Sequence, residues 1–414
     1  MTPDSPDVVN ITLPDVAREY VVEYIERDLV DLNPYTCDVS TAHRFARKFW
    51  EFLTTFYRNV PSTKHGLREL IKIILLSNTK GNIPAIFLQN IPTEPADSFL
   101  VPGKTRGFDY AHNPFDRMKK YYYSEWCSWL IACVLNHDAT IHPSEHGGNN
   151  RFHLISPIPG ADKKLRNIGA STGGGKFFQH SDATVFTDLS TIEDIRERLY
   201  HCNTTIESVC VATNKPVDQI VAEITCRKFA RVDATLLKGV LNLNTKTNIA
   251  TPRMLQKSLQ DDGFSKRDLV RLSRMPIAHI AGPADGAISG YIGEIAPPII
   301  FDGKRLIGTC INSAETRMVY VGESSDDANL FSKFITNVRN MDTISFLLTG
   351  TDLLFIPNAC YLDQTNYTHG RERLGGNEYN IPIAGGQFSR RMHCRLYAKS
   401  FRRDNEASIL SGLV

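Results

Sequence analysis

The sequence predicts an α+β protein: a double-stranded β-helix, or jelly-roll, core that carries an N-terminal helical region and a helical, lid-like insertion. Three observations predict it. Apolar residues recur at helical spacing through the first third, and from about Arg151 the texture changes to short apolar segments split by Gly, Pro and Asn. Helical spacing then returns between about 216 and 275. Strands drawn from segments so far apart are accommodated by a jelly roll or a related barrel. The expected division is a mainly helical scaffold at 1–140, packing on a core at 141–414 with the insertion inside it.

In order, the elements begin with a helix opening at Asp15, a capping residue type, followed by Val16, Tyr20, Val21, Tyr24 and Ile25 at helical spacing. Ser40 can cap a second helix, whose Phe45, Phe49, Phe52 and Phe56 form a stripe of the kind that faces a core. Leu67, Leu70, Ile71, Ile74 and Leu75 mark a third helix, and residues 115–134 a fourth. Strands are expected at 152–155, 177–186 and 206–212. In the insertion, Ile220, Val221 and Ile224 share a helical face and 256–274 is polar and charged. Strands resume at 298–301, 306–311, 316–321, 345–348, 353–356 and 392–399, interrupted by a helix at 326–340. The sequence shows no internal repeat and no low-complexity tail.

Composition excludes several classes. With 42% hydrophobic and 22% charged residues the chain matches ordinary globular proteins. Net charge is +2 with the basic residues scattered, so no basic stripe predicts a nucleic-acid partner. The apolar run at 127–135 is far shorter than the roughly 20 residues that cross a bilayer, so no membrane association is expected. The opening MTPDSPDVVN lacks the apolar stretch of a secretory signal. Nine cysteines at irregular spacing, without a CxxC pair, predict reduced thiols in a cytoplasmic protein. No pattern encodes an oligomeric state.

The sharpest chemical signal is FFQHSDATVF. His180 and Asp182 lie two apart, so on a strand both project to the same face. His369, in NYTHGRER, offers a third ligand where a strand returns beside the first. Two imidazoles and one carboxylate make a facial triad that leaves three positions open on an octahedral iron, room for a bidentate keto acid plus oxygen. Alone, an HxD pair is a weak signal, because such pairs are commonly satisfied at the surface. Its setting in an apolar strand after a glycine-rich approach strengthens it. In the C-terminal strand FSRRMHCRLYAKS, alternation sets Arg391, His393 and Arg395 on one face, and a guanidinium there can grip a distal carboxylate bidentately.

Three stretches make this sequence resemble the clavaminate synthase-like branch of iron(II)/2-oxoglutarate-dependent oxygenases, which includes hydroxylases of free arginine, asparagine and lysine. HGGNNRFHLISPIPG is similar to the segment before the metal strand, and FFQHSDATVF to the HxD/E strand itself. TGTDLLFIPNACYLDQTNYTHGRERL is similar to the Gly-Asp-Leu-Leu strand, the Asn- and Asp-rich turn and the His-Gly-Arg motif. The resemblance covers mainly 145–212 and 305–400.

It implies a non-haem hydroxylase that uses iron(II), 2-oxoglutarate as cosubstrate and O2. It implies His180, Asp182 and His369 as the iron ligands, and Arg391 on the 2-oxoglutarate tail with Arg390 and Arg395 as alternatives. His153 is the nearest match to the polar residue which that family turns toward an amino-acid substrate, a buried structural histidine being the plainer reading. Asp326 and Asp327 can meet a cationic substrate group, and a helix N-cap pair is the simpler reading there. The implied partner is a small molecule: a free amino acid or close derivative, oxidised at an unactivated carbon. A peptide or carrier-tethered amino acid is the second reading, and a non-catalytic jelly-roll protein binding metal or a small ligand is the third. The segment GGNEYNIPIAGG and the long central insertion depart from the family pattern, and both bear on substrate choice.

Two competing motifs fail on their residues. In GASTGGGKF, Ala170 stands where a phosphate loop needs its first glycine, and Phe177 follows Lys176 where Ser or Thr would bind magnesium. The cluster His137, Asp138, His142, Glu145 and His146 lacks cysteines and HExxH spacing and contains Pro143, which favours a polar connecting loop over zinc.

Overall fold

The strand LLFIP shows why the layers stack as they do. In the computed structural model its side chains alternate between two apolar surroundings: Leu353 and Phe355 pack with the N-terminal helices, Leu354 and Ile356 with a second sheet. A strand apolar on both faces belongs in a sheet that is covered on both faces. The structure describes residues 8–32, 37–59, 64–79, 84–94, 114–139, 142–143, 149–150, 153–155, 177–181, 191–225, 234–242, 246–281, 292–311, 316–358, 366–371 and 389–398.

The first third runs β1 (Val8–Thr12), α1 (Asp15–Asp28), α2 (Val39–Asn59), α3 (Lys64–Thr79), β2 (Ala85–Gln89) and α4 (Pro114–Val134). Short strands follow: β3 (His137–Ala139), β4 (His142–Pro143), β5 (Asn149–Asn150), β6 (His153–Ile155) and β7 (Phe177–His180). The middle holds α5 (Ile192–His201), α6 (Ile206–Thr213), α7 (Val217–Thr225), β8 (Ala234–Asn242), β9 (Lys246–Ala250), α8 (Pro252–Asp261) and α9 (Lys266–Leu272). Then come β10 (Ile277–Ala281), β11 (Ile292–Ala296), β12 (Ile299–Phe301), β13 (Leu306–Thr309), β14 (Thr316–Tyr320) and α10 (Ser325–Asn340). The chain continues through β15 (Ile344–Leu347), β16 (Leu353–Pro357), β17 (Thr368–Arg371) and β18 (Ser389–Ala398).

The larger, seven-stranded sheet has the order β1-β2-β16-β8-β18-β3, with β6 also paired to β18. The four-stranded sheet is β15-β9-β17-β7. Between the two lie Ala85, Leu237, Ile249, Phe346, Leu354, Ile356 and Tyr367, and Phe87 meets Phe346 across the gap with ring centroids 4.9 Å apart. The outer face of the larger sheet, through Ile86, Leu88, Leu236 and Phe355, buries itself against the N-terminal helices. There the α2 phenylalanines are core as expected: Phe45 and Phe49 stack at 5.2 Å, and Tyr20 stacks on Phe52 at 4.2 Å. Two satellite cores complete the molecule, one among α8, α9, α10 and β12–β13, the other among α5, α6, α7 and β10–β11.

Several expectations need correction. Residues 206–212 are not a strand but α6, because Thr205 caps the N-terminus by accepting from Ser208 N and Asn214 closes the C-terminus in the left-handed region at φ 54°. The insertion expected at 216–275 is not continuous, since β8 and β9 interrupt it and belong to the two facing sheets. Beside its four helices, the N-terminal stretch also supplies β1 and β2, which form one end of the larger sheet. Pro14, not Asp15, is the N-cap of α1, and the Asp15 carboxylate instead accepts from Asn90 Nδ2 at 2.9 Å. Among the described residues no helix is long and apolar enough to cross a membrane.

Candidate metal centre

The HxD strand ends beside the strand that carries the distal histidine. In the antiparallel pair β7–β17, His180 sits directly opposite His369, and β17 in turn sets His369 opposite Ile249 of β9. Ile249 belongs to the core between the sheets, so this register places both histidines on the inner face of the smaller sheet. Directly opposed residues hold their Cβ atoms about 5 Å apart, a spacing that lets two imidazoles meet one ion. His180 is 1% exposed. Asp182 lies outside the described residues, as do the side chain of His369 and the segments 144–148, 156–176 and 372–388. Among the described residues no group of three His, Cys, Asp or Glu side chains is arranged to hold a metal.

The outer face of the same sheet is polar and internally satisfied. Thr368 donates to Gln179 Oε1 at 3.1 Å and Ser345 to Asn248 Oδ1 at 2.9 Å. Just past His180 the chain leaves the ladder: Ser181 N donates to Ile311 O at 2.6 Å. On the other ligand strand, the Asn366 amide accepts from Thr309 N at 2.7 Å and donates to Thr309 O at 2.6 Å. Sequence reasoning missed Ser181, Asn366 and Thr309 because no periodicity marks them; Ser181 and Asn366 are near His180 and His369 in sequence, and Thr309 has no such signal.

The facing wall comes from β18. Arg391 lies opposite Gly239 on one side and Ile155 on the other, His393 opposite Leu237 and His153, and Arg395 opposite Thr235. Leu237 belongs to the core between the sheets, so the register assigns Arg391, His393, Arg395 and His153 to the face that looks toward the histidines. Arg390 pairs with Leu241, and a register shift separates it from Arg391. The side chains of these five residues lie outside the described set.

Between Leu237 and Arg391's neighbour Gly239 sits a cation the sequence did not flag. Lys238 is fully buried on the opposite face of β8, where its Nζ donates to Gly239 O at 2.8 Å and also to Gly350 O. Burial lowers its pKa to about 8 against the opposing pull of Glu94. Asp327, a sequence candidate for substrate contact, accepts from Arg271 Nε at 2.9 Å, and its backbone N–H donates to the N-cap Ser324. Asp326 lies exposed in the same first turn of α10. His137 is buried, its Nδ1 2.7 Å from Leu135 O and its ring edge-on to Phe355, as a structural histidine.

No protein-family model matches this chain, and no curated protein does. Solved structures do. A non-heme iron oxygenase, OrfP, in complex with Fe and alpha-ketoglutaric acid superposes with a TM-score of 0.56 at 12% identity, over 95% of each chain. The chain has the OrfP fold. An OrfP variant in complex with (3S)-hydroxy-L-Arg gives 0.56 at 13% identity over 97% of this chain and 96% of that one, and OrfP with Fe and L-Arg gives 0.53 at 12% over the same shares. The correspondence with OrfP thus spans the helical layer as well as both sheets.

Proposed function

We propose that this protein is an iron(II)- and 2-oxoglutarate-dependent oxygenase that hydroxylates an unactivated carbon of a free amino acid or a close derivative. The observation that carries the reading is the register that opposes His180 and His369 on the inner face of the smaller sheet, in the OrfP fold. The facing sheets are then the two walls of a jelly roll, with residues 1–140 as scaffold. His180, Asp182 and His369 hold the metal, a donor set of two imidazoles and a carboxylate that suits iron(II). When bound, iron with 2-oxoglutarate and O2 supplies the oxidising power, and 2-oxoglutarate leaves as succinate and carbon dioxide.

The protein's own part is positional. Arg391, with Arg390 and Arg395 as alternatives, anchors the distal carboxylate of 2-oxoglutarate from the opposite wall. The apolar lining between the sheets keeps water from the reacting carbon. His153, opposite His393 in register, is assigned to the substrate together with Asp326 and Asp327, and OrfP, whose fold the chain shares, is seen in complex with L-Arg and with (3S)-hydroxy-L-Arg. The reduced thiols among the described residues accord with a cytoplasmic setting.

Anaerobic titration of the apo protein with iron(II) and 2-oxoglutarate tests the reading. A visible charge-transfer band is expected, shifting on addition of one member of an amino-acid panel. Folded, iron-loaded protein without that band would favour a non-catalytic jelly roll. A band that shifts only with peptides would move the substrate class.

A further inference from the structure

The β7–β17 ladder by itself fixes little beyond His180. Its register shifts between His369 and Arg371, and Ser181 has already turned away to bond elsewhere. What both ligand segments share is one short stretch of backbone, 309–311, at the end of β13. Ser181 stands between His180 and Asp182; its N–H donates to Ile311 O at 2.6 Å and its Oγ accepts from Ile311 N at 3.3 Å. Asn366 stands three residues before His369, and its amide takes both backbone groups of Thr309 at 2.7 and 2.6 Å.

All four residues are buried, Ser181 and Ile311 completely, Asn366 to 1% and Thr309 to 2% exposure. The stretch is itself anchored. Cys310 N donates to Pro298 O at 3.0 Å, and Ile311 packs in the core of α8, α9 and α10. On the other side, Asn366 Nδ2 reaches Asn358 O at 3.3 Å and Tyr367 N donates to Pro357 O at 2.8 Å, which ties the assembly to the end of β16 in the larger sheet.

We propose that 309–311 is a strap that sets the spacing between the HxD segment and the His369 strand, with Asn366 as its positioning residue. This rests on the metal reading given above. The strap acts through buried backbone groups, so removing the Asn366 amide takes the side-chain acceptor from Thr309 N–H and leaves Thr309 O with the longer bond from Ser181 Oγ at 3.4 Å, which frees the ligand strands to relax. Groups that orient metal ligands without touching the metal commonly govern affinity by roughly 10- to 100-fold.

The test is Co(II) binding to the full-length apo protein, read by calorimetry and by the visible spectrum of the bound ion. Asn366→Ala should weaken Co(II) binding roughly 10- to 100-fold and alter the spectrum. Asn366→Asp, which keeps an acceptor for Thr309 N–H, should fall between it and wild type, and Ser181→Ala should shift both readouts the same way. Asn337→Ala removes another buried amide clamp, between α10 and the end of α8, and should lower the melting temperature while leaving the Co(II) affinity and spectrum unchanged. Wild-type affinity and spectrum in both Asn366→Ala and Ser181→Ala would overturn the strap and leave the metal reading standing. If Asn366→Ala does not fold, Ser181→Ala decides. Wild-type protein that does not bind Co(II) would bring down the metal reading and the strap together.

Discussion

His180 combines near-complete burial with a partner histidine directly across the ladder, an arrangement in which truncation removes a donor that no neighbour replaces. His180→Ala or Asp182→Ala should abolish turnover and metal binding, while circular dichroism and cooperative melting of the apo chain persist. Full activity in either variant would remove the assignment. Arg391→Ala should raise the half-saturating 2-oxoglutarate concentration by roughly 30-fold or more, the loss of a charge-assisted pair of about 2 kcal/mol. If only Arg390→Ala or Arg395→Ala does so, the register shift at Arg390/Arg391 turns the wrong guanidinium inward. At this scale the sequence was informative where residue type and spacing coincide, as in HxD. It was silent on Asn366, whose importance comes from a contact 57 residues away in sequence.

Among the elements, β8 was the hardest to foresee. A lysine and a glycine in the middle of ATLLKGVLN do not suggest a central strand, since one is charged and the other weakens strands. The structure supplies the reason for each. Lys238 is pinned to the carbonyls of Gly239 and Gly350. At Gly239 an added Cβ would lie 1.9 Å from Thr349 O, because the connection from β15 to β16 crosses there. Gly239→Ala should therefore cost about 3 kcal/mol or more, seen as a fall in the denaturation midpoint, because backbone rather than a movable side chain blocks the space. An unchanged midpoint would mean that the crossing relaxes freely. Helix α6 misled for another reason. Its apolar, β-branched run imitates a strand, yet Ile206 and Val209 are buried three apart while Val211 is 85% exposed, a helical rather than alternating pattern. The strand at 353–356, by contrast, lies within β16, because continuous apolarity matches its two covered faces, and of the strand expected at 392–399 residues 392–398 fall in β18.

For the whole molecule, two buried bases among the described residues contribute to the pH response. Burial lowers His279 to about 3 and Lys238 to about 8. In the unfolded chain they titrate near their ordinary 6.5 and 10.5. Between pH 6.5 and 3 the unfolded chain holds a proton on residue 279 that the folded chain refuses, so stability falls as the pH falls through that window. The same sign applies to Lys238 between 10.5 and 8: its contribution is largest above 10.5 and is lost by about 8. Urea midpoints measured across pH should show the acid limb, and His279→Leu should flatten it; a limb of equal slope in that variant would assign it to carboxylates instead. The position of β18 reaches further, into biosynthesis. It pairs with β8 on one side and with β3 and β6 on the other, yet roughly 250 residues separate it from β3. At about 5–20 residues per second, the ribosome leaves β3 without its partner for tens of seconds. The nascent chain must survive that interval with an open seam, and a stop codon before residue 389 would yield an unclosed sheet prone to pairing with other chains rather than a shorter enzyme.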